Sequence, residues 1–161
     1  MEKSLPESTK TGFLLMNIGT PSEPTIKGIR SYLTEFLSDP DVIDTNPVLR
    51  WIIVNLFVSP FRPKRVLPQY QSIWMEEGSP LLVYSNKFKD ALMQYDNDLS
   101  IEIGMRYGDP SIEQGIANLL ESGVEEIVIC PMFPQYAQAT TGSCISKAVE
   151  ILDGKDVPYQ T

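Results

Sequence analysis

Phe13-Leu14-Leu15-Met16-Asn17-Ile18-Gly19-Thr20-Pro21 is the stretch whose reading decides the fold. Residues 13–18 are apolar on both faces, the pattern of a central strand in a parallel sheet. Gly19-Thr20-Pro21 then forces a turn. Thr25, after Pro24, can cap a helix, and Ile26, Ile29, Leu33, Phe36 and Leu37 recur at helical spacing until Asp39-Pro40 stops them. Strand, turn and helix together make the first unit of an open α/β sheet, and such sheets bind ligands beyond the carboxyl ends of their strands. Two later strands, 101–107 and 126–132, end in equally unusual loops, Met105-Arg106-Tyr107-Gly108-Asp109-Pro110 and Pro131-Met132-Phe133-Pro134-Gln135-Tyr136. Three such loops on one edge imply a ligand cleft.

The remaining segments fit the same plan. Residues 47–58 read as a helix ended by Ser59-Pro60, and 69–74 as a short helical piece. A helix over 81–95 puts Leu81, Phe88, Leu92 and Tyr95 on one side. Another over 111–122 turns Ile112, Ile116, Leu119 and Leu120 inward, with Gly123 at its end. A last helix begins near Thr141 and buries Ile145, Ala148, Val149 and Leu152. Val157 to Thr161 opens a fourth strand, and residues 1–12 are polar and read as a loose N-terminus. The class is therefore α/β: an open, mostly parallel sheet flanked by helices, Rossmann-like, with right-handed crossovers. The pattern does not fix the strand order. A chain of 161 residues supports one such domain with a real core.

Composition excludes several functions. A net charge of −8 argues against a general nucleic-acid binder, which needs a basic face. The first loop lacks the Gly-x-Gly-x-x-Gly that lets a backbone approach pyrophosphate, and there is no Walker A lysine. The chain contains no histidine, so it holds no Ser-His or Cys-His nucleophile, no His-metal site and no imidazole base. Cys130 and Cys144 form no Cys-x-x-Cys pair; buried reduced thiols are the plain reading, a disulfide or metal pair the alternative. The opening Met1-Glu2-Lys3-Ser4 lacks a signal-peptide pattern, so a cytoplasmic location is expected.

Four segments carry candidate chemistry. Residues 47–58 are apolar nearly all round, interrupted by Arg50 and Asn55, and too short to span a bilayer. They read either as a buried core helix or as an exposed lip that presents Trp51, Ile52, Leu56 and Phe57 to a membrane or an apolar ligand. Arg62, Lys64 and Arg65 follow at once, a local cationic cluster suited to an anionic group on an apolar ligand, or else a solvated charge run; Tyr70 and Ser79 can add hydroxyl donors. Arg106 and Tyr107 end the second strand at the ligand edge, where the arginine serves either a ligand or a structural ion pair. The hydroxyl-rich turn 135–143, with Tyr136, Thr140 and Thr141, opens a helix and can accept carboxylates or simply cap it.

Five motifs in order resemble ferrochelatase: Leu15-Met16-Asn17-Ile18-Gly19-Thr20-Pro21, Tyr32-Leu33-x-Glu35-Phe36-Leu37-Ser38-Asp39, Glu77-Gly78-Ser79-Pro80-Leu81, Met105-Arg106-Tyr107-Gly108 and Tyr136-x-x-x-Thr140-Thr141-Gly142-Ser143. They run from about residue 13 to 150 and correspond to about the first half of the family's length. The resemblance implies a chelatase-type half domain over 13–161, with a second α/β half beyond it. That half would supply the metal-side histidine, in a Ser-x-His stretch, and a glutamate.

It further implies insertion of ferrous iron into protoporphyrin IX, the last step of haem synthesis, with both compounds as substrates. By motif position Ile18 faces the porphyrin ring, and Arg62, Tyr70 and Ser79 anchor its propionates; Arg106, Tyr107, Tyr136, Thr140 and Thr141 join the binding set. Residues 47–58 form the apolar lip, with a peripheral membrane contact. No catalytic or metal-ligating residue is expected within the chain. Gln138 stands where iron–sulfur members carry a cysteine, so no cluster is expected, and Phe133 replaces a tyrosine of some members. The segment 74–80 is similar to protoporphyrin-type bacterial members. The alternative is a non-catalytic module that binds a tetrapyrrole or another apolar anion. Other chelatases of the fold match Gly-Thr-Pro and Gly-Ser-Pro-Leu less closely.

Overall fold

The structure, a computed structural model, describes residues 10–155 and 157–161. Four strands form one wholly parallel sheet in the order β2-β1-β3-β4: β1 (Thr11–Gly19), β2 (Ser100–Tyr107), β3 (Glu126–Pro131) and β4 (Tyr159–Gln160). β1 lies between β2 and β3, with Leu15 opposite both Ile103 and Cys130. That position explains its composition, since Leu14 and Met16 are fully buried. Thr11 and Gly12 pair within β1, so the strand begins inside the stretch expected to be loose. The rest of that stretch, residues 1–9, lies outside the described residues.

α1 (Ile26–Ser38) is capped by Thr25, whose hydroxyl accepts the Gly28 amide at 3.1 Å. α5 (Ile112–Glu121) is capped likewise by Ser111 on Gln114. Ile112, Ile116 and Leu119 of α5 join Leu14, Ile127 and Ile129 of the sheet, and Ala148 and Leu152 of α6 (Ser143–Leu152), in one core. Gly115 lets α5 sit this close: a Cβ there would lie 2.8 Å from the Ile103 carbonyl oxygen. α4 (Pro80–Tyr95) packs against β2 and β1 but exposes Phe88 and leaves Tyr95 92% exposed, so the expected inward side holds only at half-buried Leu81 and Leu92.

Residues 47–73 depart from expectation. Ser59-Pro60 does not end a helix. α2 (Pro47–Ile52) widens into a π-helical stretch (Ile53–Val58) and continues as α3 (Ser59–Ile73), which absorbs the piece predicted over 69–74. Pro60 falls in the first turn of α3, where its fixed φ suits the helix. Pro63 lies inside α3 and leaves the Ser59 carbonyl without its helical donor. Arg30 of α1 supplies one instead, Nε to the Ser59 oxygen at 3.1 Å. Val54 and Pro63 are the buried residues of this path.

Candidate functional site

A hollow of about 570 Å³ opens at the carboxyl end of β1. Leu15, Asn17 and Gly19 form its floor, every second residue of the strand and hence one face of the sheet. Thr20 and Pro21 continue the floor. Tyr70, Ile73 and Trp74 at the end of α3 make one wall, Ser79, Leu81, Tyr84, Ser85 and Phe88 of α4 the other, and Met132 closes it from the β3 side. Gly19 holds the turn in place. Its φ is +103°, and a Cβ there would meet the Tyr107 carbonyl oxygen at 1.8 Å, so no other residue fits between β1 and β2.

The lining is mostly apolar, with hydroxyls at one end. Thr20 Oγ1 donates to Ser79 Oγ at 2.6 Å, and both residues are buried. Tyr70 is half-buried; burial raises its pKa and the nearby Arg62 guanidinium draws it back. Arg62 itself is exposed and has no hydrogen bond or ion pair among the described residues. It borders a second hollow, shared with Tyr70 and Ile73 and reached by Leu33 of α1. Of the expected propionate anchors, Tyr70 and Ser79 thus line the main hollow, while Arg62 lines the neighbouring one that Tyr70 also borders.

Arg106 and Tyr107 are engaged elsewhere. Their partner is Asp39, a buried carboxylate at the end of α1. Arg106 forms an ion pair with it, Tyr107 donates to it at 2.8 Å and Ser143 at 3.2 Å, and the Asp41 amide donates to its other oxygen at 2.8 Å. Arg106 Nε also donates to Ser143 Oγ at 2.7 Å. Burial pushes the Asp39 carboxyl up, but these donors and the guanidinium outweigh it, and its pKa lies below the ordinary carboxylate value. Desolvation raises the Tyr107 hydroxyl. The structural ion pair, rather than a free cation at the ligand edge, is what the sequence pattern encoded here.

Three other parts of the expected binding set lie outside this hollow's lining. Ile18 is half-buried and absent from the hollow's lining, because alternation along β1 gives that face to Leu15, Asn17 and Gly19. Tyr136 is 70% exposed and donates to the Gln138 side chain at 3.0 Å. Thr140 and Thr141 lie in a π-helical turn (Gln138–Gly142) outside the hollow, and Thr140 donates to the Ala137 carbonyl at 3.3 Å. Sequence reading missed Tyr84, Phe88 and Met132 as wall residues. The signal was available in α4, where an exposed apolar stripe at helical spacing begins at Leu81. Cys130 and Cys144 are free thiols, and burial pushes Cys144 up to about 11.

The helical path leading to Tyr70 and Trp74 is exposed at its start. Val48, Trp51, Leu56, Phe57 and Phe61 are all more than half exposed, Ile52 is half-buried, and Arg62, Lys64 and Arg65 follow. An apolar ridge with a cationic border therefore runs into the wall of the hollow. Among the described residues no helix is long and apolar enough to cross a membrane.

Comparison with known proteins gives consistent matches. A family model described as ferrochelatase matches residues 10–160. A ferrochelatase of Coxiella burnetii (strain Dugway 5J108-111) is 48% identical over 141 residues, covering 87% of this chain and 40% of that protein. A ferrochelatase of Yersinia pestis (strain Pestoides F) is 45% identical over 146 residues, covering 91% of this chain and 46% of that protein. The chain thus spans less than half the length of these curated relatives.

Proposed function

The chain belongs to the ferrochelatase family, and from that premise we propose that it forms the porphyrin-binding part of an enzyme that inserts ferrous iron into protoporphyrin IX. One observation carries the reading: an apolar hollow with buried hydroxyls at one end, continuous with an exposed apolar ridge and three cations. A porphyrin is a flat apolar disc with two carboxylates on one edge. The ridge suits its approach, the hollow its face, and Ser79, Tyr70 and Arg62 its propionates. Arg62 is an exposed cation with no partner among the described residues, and it shares a hollow with Tyr70.

Binding and chemistry separate in this proposal. Metallation needs a base to remove pyrrole protons and a ligand to deliver the metal. With no histidine in 161 residues, the chain supplies binding and shape, and those groups come from elsewhere in the enzyme. Ferrous iron enters as substrate, and the proposal includes no iron–sulfur cluster. The ridge makes a peripheral contact with a membrane from the cytoplasmic side.

The test uses the 161-residue chain itself. Titration with protoporphyrin IX, followed by porphyrin absorbance, is expected to saturate at one equivalent. Iron or zinc insertion is expected to stay at the uncatalysed rate. Absence of binding refutes the porphyrin reading, and insertion above background refutes the division of labour. A non-catalytic tetrapyrrole module gives the same binding but no rate gain when the chain is joined to the remainder of a ferrochelatase.

A further inference from the structure

Ser79 occupies the N-cap position of α4 yet caps nothing. An N-cap serine ordinarily accepts the amide of the second or third helical residue. Here its backbone has the usual extended conformation, φ −62° and ψ 133°, but its hydroxyl makes no bond to the α4 amides. The oxygen instead takes the proton of Thr20 Oγ1 at 2.6 Å. Ser79 is 5% exposed and Thr20 8%, so bulk water does not compete for this bond. A serine hydroxyl has one proton and two lone pairs. With one lone pair held by Thr20, the geometry leaves the Ser79 proton with no acceptor among the described residues, and both residues line the main hollow.

From this arrangement we infer that Thr20 is a positioning residue: it fixes the Ser79 hydroxyl as a donor toward the hollow and so selects ligands that present a carboxylate there. Without Thr20 the Ser79 oxygen is free to turn back and cap α4, which would draw its proton off the ligand line. The tight turn at Gly19 keeps Thr20 in register with Ser79 across 59 residues of sequence. The inference rests on the porphyrin reading, because it concerns how a propionate would be held.

The experiment is a binding cycle on the full chain with protoporphyrin IX and with its dimethyl ester, which lacks carboxylates. Thr20→Val is expected to weaken the free acid about tenfold, the scale of one hydrogen bond to a charged group, and to leave the dimethyl ester unchanged. Thr20→Ser is expected to bind within about twofold of wild type, since it restores the donor. Thr20→Val combined with Ser79→Ala is expected to be no worse than Ser79→Ala alone, because both act through one contact. If Thr20→Val folds poorly by urea midpoint, Thr20→Ala runs the same cycle. Equal losses for acid and ester, additive losses in the double variant, or no loss in Thr20→Val each overturn the positioning role while leaving porphyrin binding intact. Failure of the wild-type chain to bind the free acid overturns the porphyrin reading and this inference with it.

Discussion

Replacing Asp39 with alanine removes the acceptor around which three elements converge. Asp39 ends α1, Arg106 and Tyr107 end β2, and Ser143 begins α6. Loss of the carboxylate strands a guanidinium that is only 18% exposed. Breaking one partner of such a buried pair costs about 3–5 kcal/mol, mainly through the charge left behind. Part of the network survives, since Arg106 Nε still donates to Ser143 at 2.7 Å and the guanidinium still lies 4.6 Å from the Tyr107 ring centre. The low end, about 3 kcal/mol, is therefore expected. With a urea slope of about 1–3 kcal/mol per molar, the unfolding midpoint falls by about 1–3 M. Asp39→Asn keeps an acceptor for Tyr107 and should fall by roughly half as much.

The same substitution has a pH signature. The folded pKa of Asp39 lies below its ordinary value of 3.8. Its contribution to stability is therefore present above the unfolded pKa and is lost as pH falls through the folded one. Wild type and Asp39→Ala should differ fully at neutral pH and converge as pH drops below the ordinary carboxylate range. Urea titrations followed by tryptophan fluorescence at several pH values measure both effects. A midpoint indistinguishable from wild type at neutral pH, or a gap that persists unchanged into acid, refutes the view that this carboxylate holds the sheet edge together.

Three further outcomes follow from the geometry. Gly19→Ala places a Cβ against the Tyr107 carbonyl and strains a positive φ, so a loss above about 3 kcal/mol is expected by urea denaturation. Leu56→Asp, at a position 54% exposed, should cost no more than about 0.5 kcal/mol while reducing co-sedimentation with lipid vesicles; unfolding of the variant would make Leu56 a core residue. Arg62→Ala should weaken protoporphyrin IX binding by about 1–3 kcal/mol, with only partial recovery in Arg62→Lys, and unchanged affinity would return Arg62 to a solvated surface.

The sheet was readable because its cues are local. Apolar runs at 13–16 and 127–130, the alternating Ile101, Ile103 and Met105, helical spacing between them and caps at Thr25 and Ser111 name each element without its neighbours. The cleft edge followed from the first loop. The lip helix was half readable: its apolar excess was plain, but its continuation through Ser59-Pro60 was not. Proline normally ends a helix, and the Arg30 side chain that satisfies the orphaned Ser59 carbonyl comes from 29 residues away. The partner of Arg106 was illegible for the same reason, so ligand and ion pair stayed open. Its partner Asp39 lies 67 residues earlier, in a stretch that reads only as a helix stop.

That unbroken helical path ties the surface ridge to the hollow. α2, the π-helical stretch and α3 form one rod whose exposed start bears Trp51, Leu56 and Phe57 and whose end bears Tyr70, Ile73 and Trp74 of the wall. α1 packs against both the π-helical stretch and α3, where Val54 and Pro63 are buried; Arg30 of α1 bonds Ser59, and the Gln71 side chain donates to the Pro24 carbonyl just before α1 at 3.4 Å. Packed helices shift as bodies and do not bend continuously. A tilt of the ridge as one body would therefore be carried to Tyr70 and Trp74. The π-helical stretch, a turn of wider hydrogen-bond spacing, lies between the two ends. The placement of these wall residues is then tied to the contacts that hold this path to α1.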